Sequence, residues 1–193
     1  MNDRKLIPAV IVGALALNVA ATALASSGPD KMAKELSAIQ NAQTSISQAI
    51  ASAESHTGGR AVKAEMERKK GAYYYEIKTV SKDKVLKLHI DPTTGKVVKT
   101  REKGFLARFF DSEDRDAFDK LSASPVTLTT AIASAEKETG GKTVEAEFEN
   151  EDGKSLFEVK VAKDDGVRKV NIDASNGKVL KVSDARRHWH END

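Results

Sequence analysis

Residues 167–181 read VRKVNIDASNGKVLK, and residues 85–99 read VLKLHIDPTTGKVVK. The second stretch is an earlier copy of the first, and the match extends well beyond the hairpin. Sliding the chain against itself by about 82 residues aligns Thr44–Lys99 with Val126–Lys181 without a gap, and roughly 25 of some 56 pairs are identical. The chain is therefore read as two copies of one small unit. A domain near 60 residues buries only about 60% of the surface its unfolded chain exposes, so each copy is expected to draw apolar contact from the other or from the segment between them.

The two copies agree on a plan. In the first, Ala49, Ile50 and Ala53 form a narrow stripe of small apolar residues at helical spacing. Ser47 is the candidate N-cap, and Gly58-Gly59 ends the helix. The period then changes to two. Val62, Ala64 and Met66 alternate with Lys63, Glu65 and Glu67; Tyr73, Tyr75, Ile77 and Thr79 follow after a turn at Gly71, and Leu86, Leu88 and Ile90 after a turn near Lys82-Asp83. Asp91 to Gly95 is turn chemistry, and Lys96–Lys99 a short last strand. The second copy repeats this with Thr129 as N-cap, Ala131, Ile132 and Ala135 on the helix, and Gly140-Gly141 after it. Its strands carry Val144, Ala146 and Phe148, then Phe157, Val159 and Val161, then Val170 and Ile172. The fold class is α+β: two repeats of a helix packed on a small antiparallel sheet, ordered α-β-β-β.

Around the repeats, residues 1–25 read as a signal peptide. Arg4 and Lys5 form a positive start, Leu6 to Leu24 an apolar run, and Ala23-Leu24-Ala25 a cleavage site before Ser26. The competing reading is an uncleaved anchor, since the run is close to spanning length. The small-residue site favours cleavage after Ala25, hence a periplasmic or secreted protein with no stable membrane span. The remaining boundaries are a leader helix or partly ordered stretch over 26–43, repeat 1 over 44–99, a Phe-rich helical linker over 100–125, repeat 2 over 126–183 and a disordered tail over 184–193. The linker places Phe105, Leu106, Phe109 and Phe110 on one helical face. That face either packs on the sheets or docks a partner.

Charge is nearly balanced over the whole chain, with formal net charge +2 and no cysteine. Disulfides, thiolate metal sites and cysteine nucleophiles are excluded, and nothing argues for nucleic acid. The copies differ, however. Counting Lys and Arg against Asp and Glu, the first copy carries about +5 (11 minus 6) and the second about −2 (9 minus 11). Arg68, Lys69 and Lys70 occupy the hairpin tip where the other copy has Asn150, Glu151 and Asp152, so the tips are expected either to attract each other or to meet different partner surfaces.

The segments AIASAESHTGGRAVKAEME, YYYEIKTV and LKLHIDPTTGKVV, with their counterparts AIASAEKETGGKTVEAEFE, LFEVKV and RKVNIDASNGKVL, resemble the PepSY domain. The shared pattern is an alanine-rich helix, T-G-G-x-V, an E-V-K-like strand and a closing D-x-x-x-G-K hairpin. Such domains occur in propeptides of secreted thermolysin-like metallopeptidases and in stand-alone exported or membrane-linked bacterial proteins. The resemblance implies a helix on a small antiparallel sheet and a peptidase-inhibiting or regulating role.

No catalytic set is legible: there is no G-x-S-x-G elbow and no H-E-x-x-H helix. Asp91 and Asp173 are explained by turn geometry, His56 and His89 read as surface residues, and Glu76 and Glu158 as solvated partners of lysines. No catalytic, cofactor or metal residue is assigned. His188 and His190 offer at most a weak two-ligand metal site in the tail. The expected function is a non-enzymatic, exported protein-binding module whose partner is a cell-envelope protein, a metallopeptidase being the one the resemblance suggests. Binding through β-augmentation at an open sheet edge would supply the mechanism, with Arg68, Lys69, Lys70, Phe109 and Phe110 as candidate contacts. The alternative is an envelope sensory pair holding a ligand or metal in a groove between the copies, using the Tyr73–Tyr75 run and the terminal histidines His188 and His190.

Overall fold

A computed structural model describes residues 29–81, 84–105, 119–151, 153–163 and 166–184. Residues 1–25, read as a signal peptide, Phe109, Phe110 and the histidines of the tail lie outside them. Among the described residues no helix is long and apolar enough to cross a membrane.

The helices are α1 (Pro29–Asn41), α2 (Ile46–Thr57) and α3 (Leu128–Thr139). The strands of the first copy are β1 (Arg60–Lys69), β2 (Ala72–Val80), β3 (Lys84–Ile90) and β4 (Val97–Phe105). Those of the second are β5 (Lys142–Glu151), β6 (Lys154–Lys163), β7 (Gly166–Asp173) and β8 (Val179–Asp184). Each copy is thus α-β-β-β-β, and the last strand is longer than expected. Thr100–Phe105, read as the start of a helical linker, continues β4; its charged residues break the alternation that marks a strand, because an edge strand buries little.

The larger correction concerns the sheets. Among the described residues they are not two but one, eight-stranded and antiparallel, in the order β4-β3-β2-β1-β5-β6-β7-β8. The copies join where β1 meets β5, with Lys63 opposite Glu147, Ala64 opposite Ala146 and Glu65 opposite Glu145. Ala64 and Ala146 occupy the same position in the two copies, so a pseudo-two-fold axis passes between them. Their small side chains, both fully buried, let the two helices share one core. That core runs without interruption from Ile50, Tyr75 and Leu88 of one copy to Ile132, Phe157 and Val170 of the other.

Both repeat helices start two residues earlier than expected. Ser45 caps α2 in a capping box with Gln48, and Thr127 caps α3 by accepting from the Thr130 amide. Ile46 and Leu128 then fall inside the helices and are buried. At the other end Gly58 and Gly140 adopt the left-handed conformation. The following glycines serve close approach instead. A Cβ on Gly59 would lie 2.8 Å from the Val80 carbonyl oxygen, and one on Gly141 would lie 2.5 Å from that of Ala162.

Two further ties bind the copies. Helix α1 packs against β1 and β5, where Leu36 and Ile39 close over Val144, Ala162 and Val167 of the second copy. The Arg60 guanidinium donates to the carbonyls of Leu121, Ser122, Ser124 and Val126 at 2.6–3.3 Å. It thereby satisfies the end of the short helical turn over 119–123, whose Leu121 is buried in the shared core.

Candidate interaction surfaces

Alternation along the strands sends Ala64, Met66, Tyr75 and Ile77 into the core under the helices and their neighbours Lys63, Glu65, Glu67, Tyr74 and Glu76 to the opposite face. That face is a charged ladder centred on the axis. Lys63 Nζ lies 3.0 Å from both Glu145 and Glu147 and 3.6 Å from Glu65. Lys160 Nζ approaches Glu145 from the other side at 2.9 Å. Outward from the axis, Lys87 pairs with Glu76, and Lys169 with Glu158.

Burial makes these groups unequal. It pushes the Glu65 carboxyl up to about 7, against the pull of Lys63 and with the help of the Glu145 charge. Burial works in the same sense on Glu145, but the hydrogen bond from Lys160 and the charge of Lys63 outweigh it and hold that carboxyl below its ordinary value. Burial would lower the Lys63 ammonium; the charges of Glu145, Glu65 and Glu147 overcome it and raise the group above its usual range. One lysine is thus shared among three carboxylates, and Glu65 is the least well compensated of them.

In the first copy the ladder ends in a polar cluster. Tyr74 donates to Glu67 at 2.8 Å, its ring stacks on His89 with centroids 4.1 Å apart, and His89 Nε2 lies 3.3 Å from Glu76. Burial holds the His89 imidazole below its ordinary value, against the pull of Glu76. Oxygens of Glu65, Glu67 and Glu76 come within 4.8 Å of one another, close enough for a cation. His89 and Glu76 are 7% and 5% exposed, which corrects the expectation that they are surface groups; Glu158, at 6%, corrects likewise. Long neighbouring side chains, Tyr74 over His89 and a lysine on each glutamate, take the place of solvent. The signal was present in the sequence. Glu65, Glu67, Glu76 and Lys87 all recur as Glu147, Glu149, Glu158 and Lys169; of this shared polar set only Glu76 and Glu158 are singled out from the sequence, as lysine partners.

The turn carboxylates behave as expected of turns. Asp91 accepts from the amides of Thr93 and Thr94, and Asp173 from that of Ser175; hydrogen bonds hold both below the ordinary carboxylate range.

Arg68, Lys69 and Lys70 stand exposed at the β1–β2 tip, with Arg68 over the Tyr73 ring at 5.9 Å and Lys70 at φ 52°. The two tips do not attract each other. Because β1 and β5 run antiparallel through the axis, the tips lie at opposite ends of the sheet, and the charge complementarity between copies is realised at Lys63 instead. Nor do Tyr73–Tyr75 line a groove between the copies: Tyr75 is fully buried and donates to the Thr44 carbonyl at 2.8 Å, while burial pushes its hydroxyl up to about 12.

What the described sheet leaves unpaired is its two outer strands, β4 and β8. Each carries a bulge opposite the inner strand and an exposed apolar residue there. These are Val98, 62% exposed, and Leu180, 58% exposed, the same position in the two copies.

A duplicated α+β unit, fused edge to edge into one sheet with α2 and α3 layered on one face, defines the class of protein. The PepSY profile, described as "Peptidase propeptide and YPEB domain", matches residues 44–101 and 125–183, and the chain belongs to that family as a tandem of two such domains. No curated protein gives a significant match. Among solved structures, a protein from Clostridium difficile 630 described as a candidate lipoprotein is similar at 21% identity. The alignment covers 78% of this chain and 99% of that one, with a TM-score of 0.47.

Proposed function

We propose that the chain is an exported, non-enzymatic protein-binding module that regulates or inhibits a secreted peptidase through the unpaired edges of its sheet. The observation that carries this reading is the fusion at β1 and β5. It consumes one edge of each copy and turns the remaining two, β4 and β8, outward, where an extended segment can add by main-chain hydrogen bonds. The family's description as a peptidase propeptide supports a peptidase as partner, and the residues ahead of Ser26 support export. The test is inhibition. The protein starting at Ser26, titrated against metallopeptidases secreted by the same cells, should lower the activity of at least one of them and co-elute with it. Full activity of every such enzyme at saturating protein would end this reading. N-terminal sequencing of the protein recovered from its native cells should begin near Ser26; a start at Met1 would end the export part.

A further inference from the structure

The two edges are not equivalent. In β8 the residues following the bulge are Lys181, Val182 and Ser183; in β4 they are Lys99, Thr100 and Arg101. The register sets Arg101 directly opposite Lys87 and Lys99 opposite His89, whereas the second copy sets Ser183 opposite Lys169 and Lys181 opposite Asn171. Like charges opposite each other in a ladder are unfavourable, and Lys87 already has its carboxylate in Glu76. Arg101 and Lys99 are exposed, and Arg101 adds to the charge of about +5 already carried by Thr44–Lys99. An edge charged in this way repels a second copy of itself, which is how natural sheets guard against self-association. The same charges favour a strand of opposite sign.

We infer that β4 is the docking edge, and that its occupant is an extended acidic segment of the partner protein, added antiparallel or parallel along Lys99–Glu102 with carboxylates facing Arg101 and Lys99. This inference rests on the binding-module reading above and sharpens it to one edge and one chemistry. Val98, at the bulge, would be covered by an apolar residue of the same segment. β8, with a serine in place of the arginine, lacks the second cation.

Three synthetic nonapeptides test this on the whole protein from Ser26 onward. One alternates Glu with Val, one has the same charge but proline at every third position so that it cannot pair, and one alternates Lys with Val. Amide exchange followed by NMR should show protection of β4 with the first peptide alone. Lys99→Glu combined with Arg101→Glu should weaken its binding by about tenfold or more at low salt, while Lys181→Glu on β8 leaves it unchanged. Equal binding of the proline peptide would reduce the edge to a charged patch and overturn the inference, as would protection of β8, tighter binding of the lysine peptide, or no binding of any. The peptidase assay keeps the two readings apart. If the doubly reversed variant inhibits as well as the parent, the edge assignment fails and the module reading stands. If the acidic peptide protects β4 while no peptidase is inhibited, the edge stands and the peptidase reading fails.

Discussion

At the scale of single residues, the seam is decided by which carboxylates have a cation. Glu65 has a folded-state pKa raised to about 7 from an ordinary 4.5, so the unfolded chain releases that proton first as pH rises. Glu65 therefore costs stability progressively between about pH 4.5 and 7, and no further above. Glu65→Gln should flatten that slope and stabilise the protein by about 1–3 kcal/mol at pH 8 while changing little at pH 4.5; urea unfolding at the two values measures it. Lys63→Met should act in the opposite direction. It strips Glu145 and Glu147 of a partner at 3.0 Å, and a loss of about 2–3 kcal/mol is expected at pH 7 in the same unfolding assay. A Lys63→Met variant as stable as the parent would mean that Lys160 alone neutralises the seam.

At the scale of elements, the repeat made the core legible. Two sequences agreeing on Ala49/Ala131, Ile77/Val159 and Ile90/Ile172 fix the helix stripe and the buried strand faces, and all of these are buried. Boundaries were less legible for physical reasons. Ser47 and Thr129 looked like caps because the stripe begins two residues later, but Ile46 and Leu128 find apolar partners and draw the helix start back to Ser45 and Thr127. The pattern cuts strand β4 short because Lys99, Arg101 and Glu102 obey no period where one side of a strand has no neighbour. Sequence alone sends His89 and Glu76 to solvent, because polar residues at alternate positions usually face it. Here they face each other, which depends on a register across β2 and β3 that spacing alone does not contain. The helix–strand junctions give a sharper test. Gly141→Ala would place a Cβ 2.5 Å from the Ala162 oxygen and 2.7 Å from Val161, and should cost about 2 kcal/mol or more. Gly71→Ala meets open space and suffers only its φ of +87°, about 1 kcal/mol. Thermal melts should rank them in that order.

At the scale of the whole molecule, the joining of the copies was the illegible part, because it rests on a pairing centred on an alanine and on no motif. Once seen, it predicts how the halves behave apart. A fragment of residues 44–105 exposes β1, and two such fragments can meet about Ala64 with Lys63 of each opposite Glu65 of the other. A fragment of 120–184 would bring Glu145 and Glu147 of both chains together with no lysine at that position. Sedimentation should find the first fragment dimeric, the second monomeric at neutral pH, and an equimolar mixture forming the mixed pair. A dimer of the second fragment as stable as the mixed pair would show that Lys63 does not select the partner.

The Ala64–Ala146 axis also bears on how such a chain can change over time. In a symmetric dimer of separate chains every substitution at the seam appears twice, so a residue beside the axis must be tolerable in both places at once. Covalent joining removes that constraint and the dependence of pairing on concentration. Position 63 and its repeat, 145, use that freedom: one is a lysine and the other a glutamate, and they meet at 3.0 Å. Two halves that began as the same sequence are thereby free to become unlike, each open to selection for a task of its own without loss of the other.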